Sequence, residues 1–298
     1  NYREAERILK EYDTLFAQGS AIYQKLPESY KSAYYQLVLF PIAASKNLNE
    51  MYVAAGRNRL YGLQSRASTN LYADIVKEKF MKDAELTKYY HETLAGGKWN
   101  HMMAQTHIGY TSWSNPPVNR MPEVTYIQVP SSTSLGYVLE NGISSSQWNR
   151  GGLYSRSFSP FDALNDQNYF IEIFNKGGEK LSYSVAAKNE WIKLSSEKGT
   201  IQYDERIFVR IDWNKAPRGR HTGEIVISGA GQEFTVKVPT RNDLPAASGF
   251  LQNNGVVSIE AVNFSRKFDS RKVSWTVIPN MGRTTSSRTI GPANAERN

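Results

Sequence analysis

GGKWNHMMAQTHIGYTSWSNPPVNRMP, residues 96–122, is where this chain changes character. Before it, apolar residues recur at helical intervals; after it, short apolar runs follow the period of a strand. The stretch holds His101 and His107, with His91 just ahead, together with Trp99, Trp113, Tyr110 and the amides Asn100 and Gln105. Aromatic faces beside hydrogen-bonding groups suit a sugar ring, which offers apolar C–H faces and hydroxyl edges. The same mixture suits a buried joint between two domains. Trp99, Asn100, His101, Gln105, His107, Tyr110 and Trp113 are therefore the candidates for contact with substrate or with a neighbouring domain.

Working back from this stretch, Ala5, Ile8, Leu9, Tyr12, Leu15 and Phe16 fall at steps of three and four and form one face of a helix. Arg3, Glu4, Lys10 and Asp13 take the other face. Leu26-Pro27-Glu28-Ser29 opens a second helix, because proline in a first turn loses no hydrogen bond. Its apolar positions run from Tyr34 to Leu63, with a kink expected at Pro41. Ser68 precedes a third helix through Leu71, Tyr72, Ile75, Phe80 and Met81. Asp83 is read as the start of a fourth, ended by Gly96-Gly97. Short connections predict an antiparallel bundle over residues 1–122.

Working forward, Asn115-Pro116-Pro117 and Met121-Pro122 stop helix formation. Tyr126–Val129 reads as a first strand, and the Gly/Ser-rich region Ser131–Ser159, with Trp148 and Tyr154, as largely loop. Clearer strands follow at Tyr169–Phe174, Leu181–Val185, Trp191–Leu194, Ile207–Ile211, Glu224–Ile227 and Glu233–Val238. Turn signals separate them: Gly177-Gly178, Lys198-Gly199, Ala216–Gly219 and Gly229–Gly231. Such spacing predicts an antiparallel sandwich of immunoglobulin type over residues 123–243, with Trp191 and Trp213 in its core. Asp243–Ala247 reads as a linker and Val256–Ala261 as the opening of a further β segment, which leaves residues 244–298 as linker plus incomplete β segment. The predicted class is α+β multidomain: a helical bundle, an immunoglobulin-like β-sandwich and the start of another β unit.

The composition narrows the chemistry. No stretch approaches the roughly 20 apolar residues of a membrane span. The formal charge is +8, but acids are interspersed throughout; Arg218-Gly219-Arg220, Arg266-Lys267 and Arg271-Lys272 read as solvated turns, not as a nucleic-acid footprint. With no cysteine there is no thiol nucleophile or thiolate metal site. His101 and His107 stand six apart, outside any HExxH spacing, so no metal site is expected. No GxSxG elbow, GxGxxG or GK[ST] loop occurs, and no cofactor is expected. Carboxylates such as Glu4, Glu11, Glu78 and Glu85 lie on polar helix faces, and a glycosidase pair cannot be recognised from spacing. No catalytic residue is assigned. Asn1-Tyr2-Arg3-Glu4 enters a helical period with no signal segment, and Thr289–Pro292 leaves a β-rich stretch unfinished, so a segment of a longer polypeptide is expected.

Several runs resemble glycoside hydrolase family 115: YKSAYYQLVLFP at Tyr30–Pro41, NLNEMYVAAGRNRLYGLQ at Asn47–Gln64, and GGKWNHMMAQTHIGYTSW at Gly96–Trp113. Tyr169–Asn175, Ile211-Asp212-Trp213 with Ala216-Pro217 and Gly219, Val257–Ala261, Ile278-Pro279 and Gly282-Arg283-Thr284 extend the resemblance over most of the chain. It implies a secreted xylan α-1,2-glucuronidase that releases (4-O-methyl)glucuronic acid with inversion. In that family the catalytic residues are expected on a (β/α)8 barrel preceding the bundle, which these residues do not include. The resemblance therefore implies an accessory portion whose bundle packs against the absent barrel, with xylan or glucuronoxylan oligosaccharide met through the parent enzyme. A polysaccharide-binding or dimerising role, using Trp148, Tyr154 or Trp275 or the tyrosine-rich helix faces, is the alternative. Val262-Asn263 stands where the family pattern is acidic, which argues against a carbohydrate or calcium role for the last β piece.

Overall fold

A computed structural model describes residues 3–140, 155–243, 245–282, 285–292 and 294. Trp148, Tyr154, Leu244 of the expected linker, and Arg283-Thr284 lie outside them.

The architecture is α+β. Helices α1 (Glu4–Lys25), α2 (Glu28–Tyr34), α3 (Phe40–Leu63) and α4 (Thr69–Lys88) come first. Asn47 near the start of α3 donates to the carbonyl of Lys79 late in α4, while Asn58 near the end of α3 donates to Thr69 at the start of α4. α3 and α4 are therefore antiparallel. α1 also runs antiparallel to α3, since Arg57 pairs with Glu6 and Lys46 with Asp13. Met51, Ala54 and Val76 close the core between α3 and α4.

Two details depart from the expected helices. A π turn, Tyr35–Leu39, precedes Pro41, and the chain stays helical through the proline. The wider turn accommodates a residue that has no N–H and whose ring crowds the preceding turn. The expected third and fourth helices are one: α4 passes Asp83 without a break. Phe80-Met81-Lys82 contains no breaker, and the Asp83 carboxylate is engaged by His107, not by a helix terminus.

The β unit consists of β1 (Leu135–Leu139), β2 (Phe161–Asp162), β3 (Tyr169–Asn175), β4 (Leu181–Ala187), β5 (Ile192–Leu194), β6 (Lys198–Ile201), β7 (Asp204–Ile211), β8 (Arg220–Gly229) and β9 (Gln232–Arg241). One sheet has the order β1-β3-β7-β5 and the other β2-β9-β8-β4-β6, with β2 and β9 the parallel pair. Ile171, Ile173, Ile207 and Val209 of the first sheet and Leu181, Val185, Ile225, Ile227, Val236 and Val238 of the second share one core. Alternate residues of β4 are buried and exposed, as a strand with one wetted face requires. Trp191 is buried in this core; Trp213 packs at its margin, with its indole N–H 3.2 Å from Asp166 Oδ1.

Four strand expectations change. Lys198-Gly199, read as a turn, begins β6, and β1 emerges from the region read as loop. Tyr126–Val129 has strand-like residues but joins no sheet. It lies along α3 and α4, where amide side chains replace a neighbouring strand. Asn58 accepts from the Thr125 N–H and donates to its carbonyl, both at 2.8 Å, and Asn70 does the same for Ile127 at 2.9 and 3.0 Å. Beyond residue 245 are two small hairpins, β10 (Gln252–Asn253) with β11 (Val256–Val257) and β12 (Ser274–Ile278) with β13 (Ser287–Gly291). The expected strand Val256–Ala261 is thus confined to its first two residues.

Candidate functional site

Past α4 the chain makes a π turn, Tyr89–Thr93, and a short 3-10 turn, Leu94–Gly97. Gly96 and Gly97 stand at φ 66° and 82°, which reverses the chain over the outside of the bundle at little steric cost. The reversed segment forms a strap with two limbs.

On the first limb, Trp99 packs against Phe40, Tyr90 and Leu94, with Lys98 Nζ 4.7 Å from its ring centre. Asn100 is used locally, its Oδ1 accepting from the His101 N–H at 2.9 Å. His101 is exposed, with φ 66° and a ring centre 6.3 Å from that of His91. His91 Nε2 accepts from the Met103 N–H at 3.1 Å.

The second limb is clamped at its root. His107 places Nε2 2.9–3.0 Å from both Asp83 carboxylate oxygens and Nδ1 2.9 Å from the Gln105 carbonyl. A carbonyl and a carboxylate only accept, so the geometry calls for a proton on each ring nitrogen. The Asp83 hydrogen bond accordingly raises the His107 pKa above its usual value, against the opposing effect of partial burial. Ile108 follows, fully buried among Met51, Ala54 and Val76. Asn119 Oδ1 accepts from the N–H groups of His107 and Ile108 at 2.7 and 3.0 Å, which returns the chain to the same point.

Between these anchors the loop is polar and exposed. Tyr110 donates its hydroxyl to Asn115 Oδ1 at 2.7 Å, and Gln105 donates to both, at 3.3 and 3.2 Å. A cleft of about 470 Å³ opens beside them, lined among others by Tyr52, Tyr110, Ser112, Asn115, Arg120 and Glu123. Trp113 is fully exposed, at 104%. The structure thus joins Gln105, Tyr110 and Asn115, seats Trp99 and His107 against the helices, and leaves Asn100, His101 and Trp113 outside that network. Among the described residues no group of three His, Asp or Glu side chains could hold a metal ion. No helix among them is long and apolar enough to cross a membrane.

The contact between the helices and the β unit lies elsewhere, at the turn between α3 and α4. Arg66, 1% exposed, has its guanidinium 4.0 Å from the Tyr61 ring centre and 4.2 Å from that of Phe174. It donates to Glu172 of β3 at 2.6 Å and to Gln64. Arg206 of β7 donates to the other Glu172 oxygen at 3.1 Å. Burial pushes the Glu172 carboxyl up, but the two arginines outweigh it and hold the pKa below its usual value. Nearby, burial raises that of Asp204, which accepts from Ser68 at 3.5 Å. Ala67 N–H to Asn175 carbonyl, at 2.9 Å, completes the joint. Sequence reading missed Arg66 and Asp204; the available signal was Glu172, a lone acid in the middle of the apolar run Tyr169–Phe174.

Residues 249–298 match the glycosyl hydrolase family 115 C-terminal domain. No curated protein matches the chain. Among solved structures, a family 123 glycoside hydrolase from Clostridium perfringens is 11% identical with a TM-score of 0.30, over 39% of this chain and 28% of that one. A FixG-related protein from Vibrio parahaemolyticus is 8% identical with a TM-score of 0.26, over 38% of this chain and 97% of that one. Likeness at this level carries no argument about function.

Proposed function

We propose that this chain, which carries a glycosyl hydrolase family 115 C-terminal domain at residues 249–298 and is part of a glycoside hydrolase, is an accessory portion of a secreted xylan α-1,2-glucuronidase. The domain match carries the proposal, and the geometry of the strap supports reading it as the contact surface. Trp113 and the Tyr110–Asn115–Gln105 network stand outside the bundle's own core, and Tyr110 and Asn115 line an open cleft. A bare indole on the same loop as fixed hydroxyl and amide groups suits a xylose ring or the rim of a catalytic domain that holds one. We read the residues as units of 1–122, 123–243 and 244–298, with Val124, Thr125 and Ile127 of the second lying along α3 and α4. Two sheets facing across one core support the immunoglobulin-like reading of the middle unit.

The test is release of glucuronic acid from glucuronoxylan by the complete enzyme, compared with its Trp113→Ala and Tyr110→Phe variants. Release that falls in the variants is expected. No release by the complete enzyme overturns the activity, and unchanged turnover, affinity and assembly in both variants overturns the role of the strap. A second reading, self-association through the helices, is favoured by exposed Tyr30, Leu37 and Tyr89. A monomer at high concentration in light scattering removes it.

A further inference from the structure

The C-terminal hairpin β12–β13 carries a second site, distinct from the strap. Register pairs Trp275 with Ile290 and Val277 with Arg288, so these four residues share one face of the hairpin. The segment Phe264–Phe268 lies across this face, and with Trp275 and Arg288 it lines a cleft of about 410 Å³. Phe268 is 84% and Trp275 45% exposed, so two aromatic rings meet solvent beside the cleft.

The charged side chains that line this cleft are cationic, and the carboxylate beside them, Asp269, is taken up by Lys267. The Arg288 guanidinium lies 3.5 Å from the Phe264 ring centre, and its buried Nε has no acceptor among the described residues. Arg266 lines the same cleft and makes no ion pair among the described residues. Lys267 is fixed differently: its Nζ meets Asp269 Oδ2 at 2.8 Å and the Trp275 carbonyl at 3.2 Å. Asp269 also accepts from the Trp275 N–H at 2.9 Å, so the local carboxylate braces the hairpin and points its charge at lysine. Residues 249–298 contain seven Lys and Arg against three Asp and Glu, an excess the rest of the chain does not share in proportion.

We propose that this cleft binds a carboxylated sugar, a hexuronic acid unit of a polysaccharide, with its ring on Trp275 and Phe268 and its carboxylate on Arg288 and Arg266. Guanidinium groups match a carboxylate in a planar, two-bond geometry. An aromatic face next to them takes the apolar C–H face of the ring. A polynucleotide would call for a basic track along an extended backbone, whereas these cations gather at one mouth. The expectation that the last β piece has no carbohydrate role rested on missing acids at Val262-Asn263; this cleft uses cations instead.

Affinity electrophoresis of the complete protein through polyglucuronate, and through the same polymer after carboxyl reduction, tests the assignment. Retardation by the acidic polymer only is expected. Arg288→Gln should weaken it about tenfold, the loss of one charge-assisted hydrogen bond. Phe268→Ala, at a ring too exposed to matter for folding, should weaken it as well, while Met81→Ala, an exposed side chain of α4 outside both sites, leaves it unchanged. Release of glucuronic acid from glucuronoxylan is measured apart from this retardation, so the two readings can fail or succeed independently. Equal retardation by the reduced polymer, no retardation, insensitivity to both cleft variants, or equal competition by single-stranded polynucleotide or polyglutamate each overturns the proposal.

Discussion

Two segments leave the helical unit carrying aromatic and charged residues, and they end in opposite environments. The α3–α4 turn places Arg66 between two rings and against Glu172, closed from water on the face of β3. The strap places Trp113 fully in solvent and is anchored on the helices by Trp99, His107 and Ile108. The difference shows that aromatic density in a sequence does not locate a joint. β3 is buried along nearly its whole length because both of its faces are covered: Ile171 and Ile173 face the core shared by the two sheets, and Glu172 and Phe174 face the helices.

The largest effect expected from this comparison is at Arg66. Arg66→Ala leaves Glu172 buried with one cation and empties the space between Tyr61 and Phe174, a loss of roughly 3–5 kcal/mol typical of breaking a buried pair. Denaturant midpoints measure it, and a loss under about 1 kcal/mol would show that the joint is not tightly closed. Gly136→Ala tests the same joint from behind. Gly136 pairs with Phe174, and an added Cβ would fall 2.1 Å from the Phe174 ring. Displacing that ring from Arg66 should cost about 1–3 kcal/mol, as overpacking does.

The joint was hard to read because its chemistry is distributed. Arg66 sits in a turn between periodic segments and meets Glu172 only after the chain has folded 106 residues later. Helix periodicity, the β repeat after Tyr169 and the glycine reversal at Gly96-Gly97 were legible because each is a local rule. Tyr126–Val129 was misread for the complementary reason. Its residues fit an extended backbone, but Asn58 and Asn70 satisfy that backbone, and nothing local distinguishes an asparagine from a neighbouring strand. Gln105 and Tyr110 were named from composition and do come together; Asn115, which links them, was read only as part of a helix stop.

The strap's root should give the next effect. Asp83→Asn replaces a charge-assisted contact with a neutral one at a carboxylate that is only 6% exposed, and a loss of about 1.5–3 kcal/mol is expected. The sign with pH follows from the raised His107 pKa. Its stabilising contribution is complete below the unfolded value of about 6.5 and is lost as pH rises through the higher folded value. Glu172 at the joint behaves oppositely: its contribution is present above the ordinary carboxylate pKa and is lost as pH falls through its depressed folded value. Unfolding measured from acid to mildly alkaline pH should show both limbs, with Asp83→Asn flattening the alkaline one and Arg66→Ala the acid one. If Asp83→Asn leaves the alkaline limb unchanged, the imidazolium clamp is wrong.

The smallest effect on stability, and the sharpest contrast with Arg66, belongs to Trp113. A side chain that is 104% exposed withdraws no apolar area from water, so Trp113→Ala should change stability by no more than about 0.5 kcal/mol. A tryptophan in that position has nothing to lose within its own fold, and any effect of removing it must come from what it touches outside. Unfolding midpoints should therefore be equal while, on the proposed function, release of glucuronic acid from glucuronoxylan by the complete protein falls. A drop of more than 1 kcal/mol would instead mean that the ring is covered in the protein, and the strap would then have to be read as a second joint like the one at Arg66.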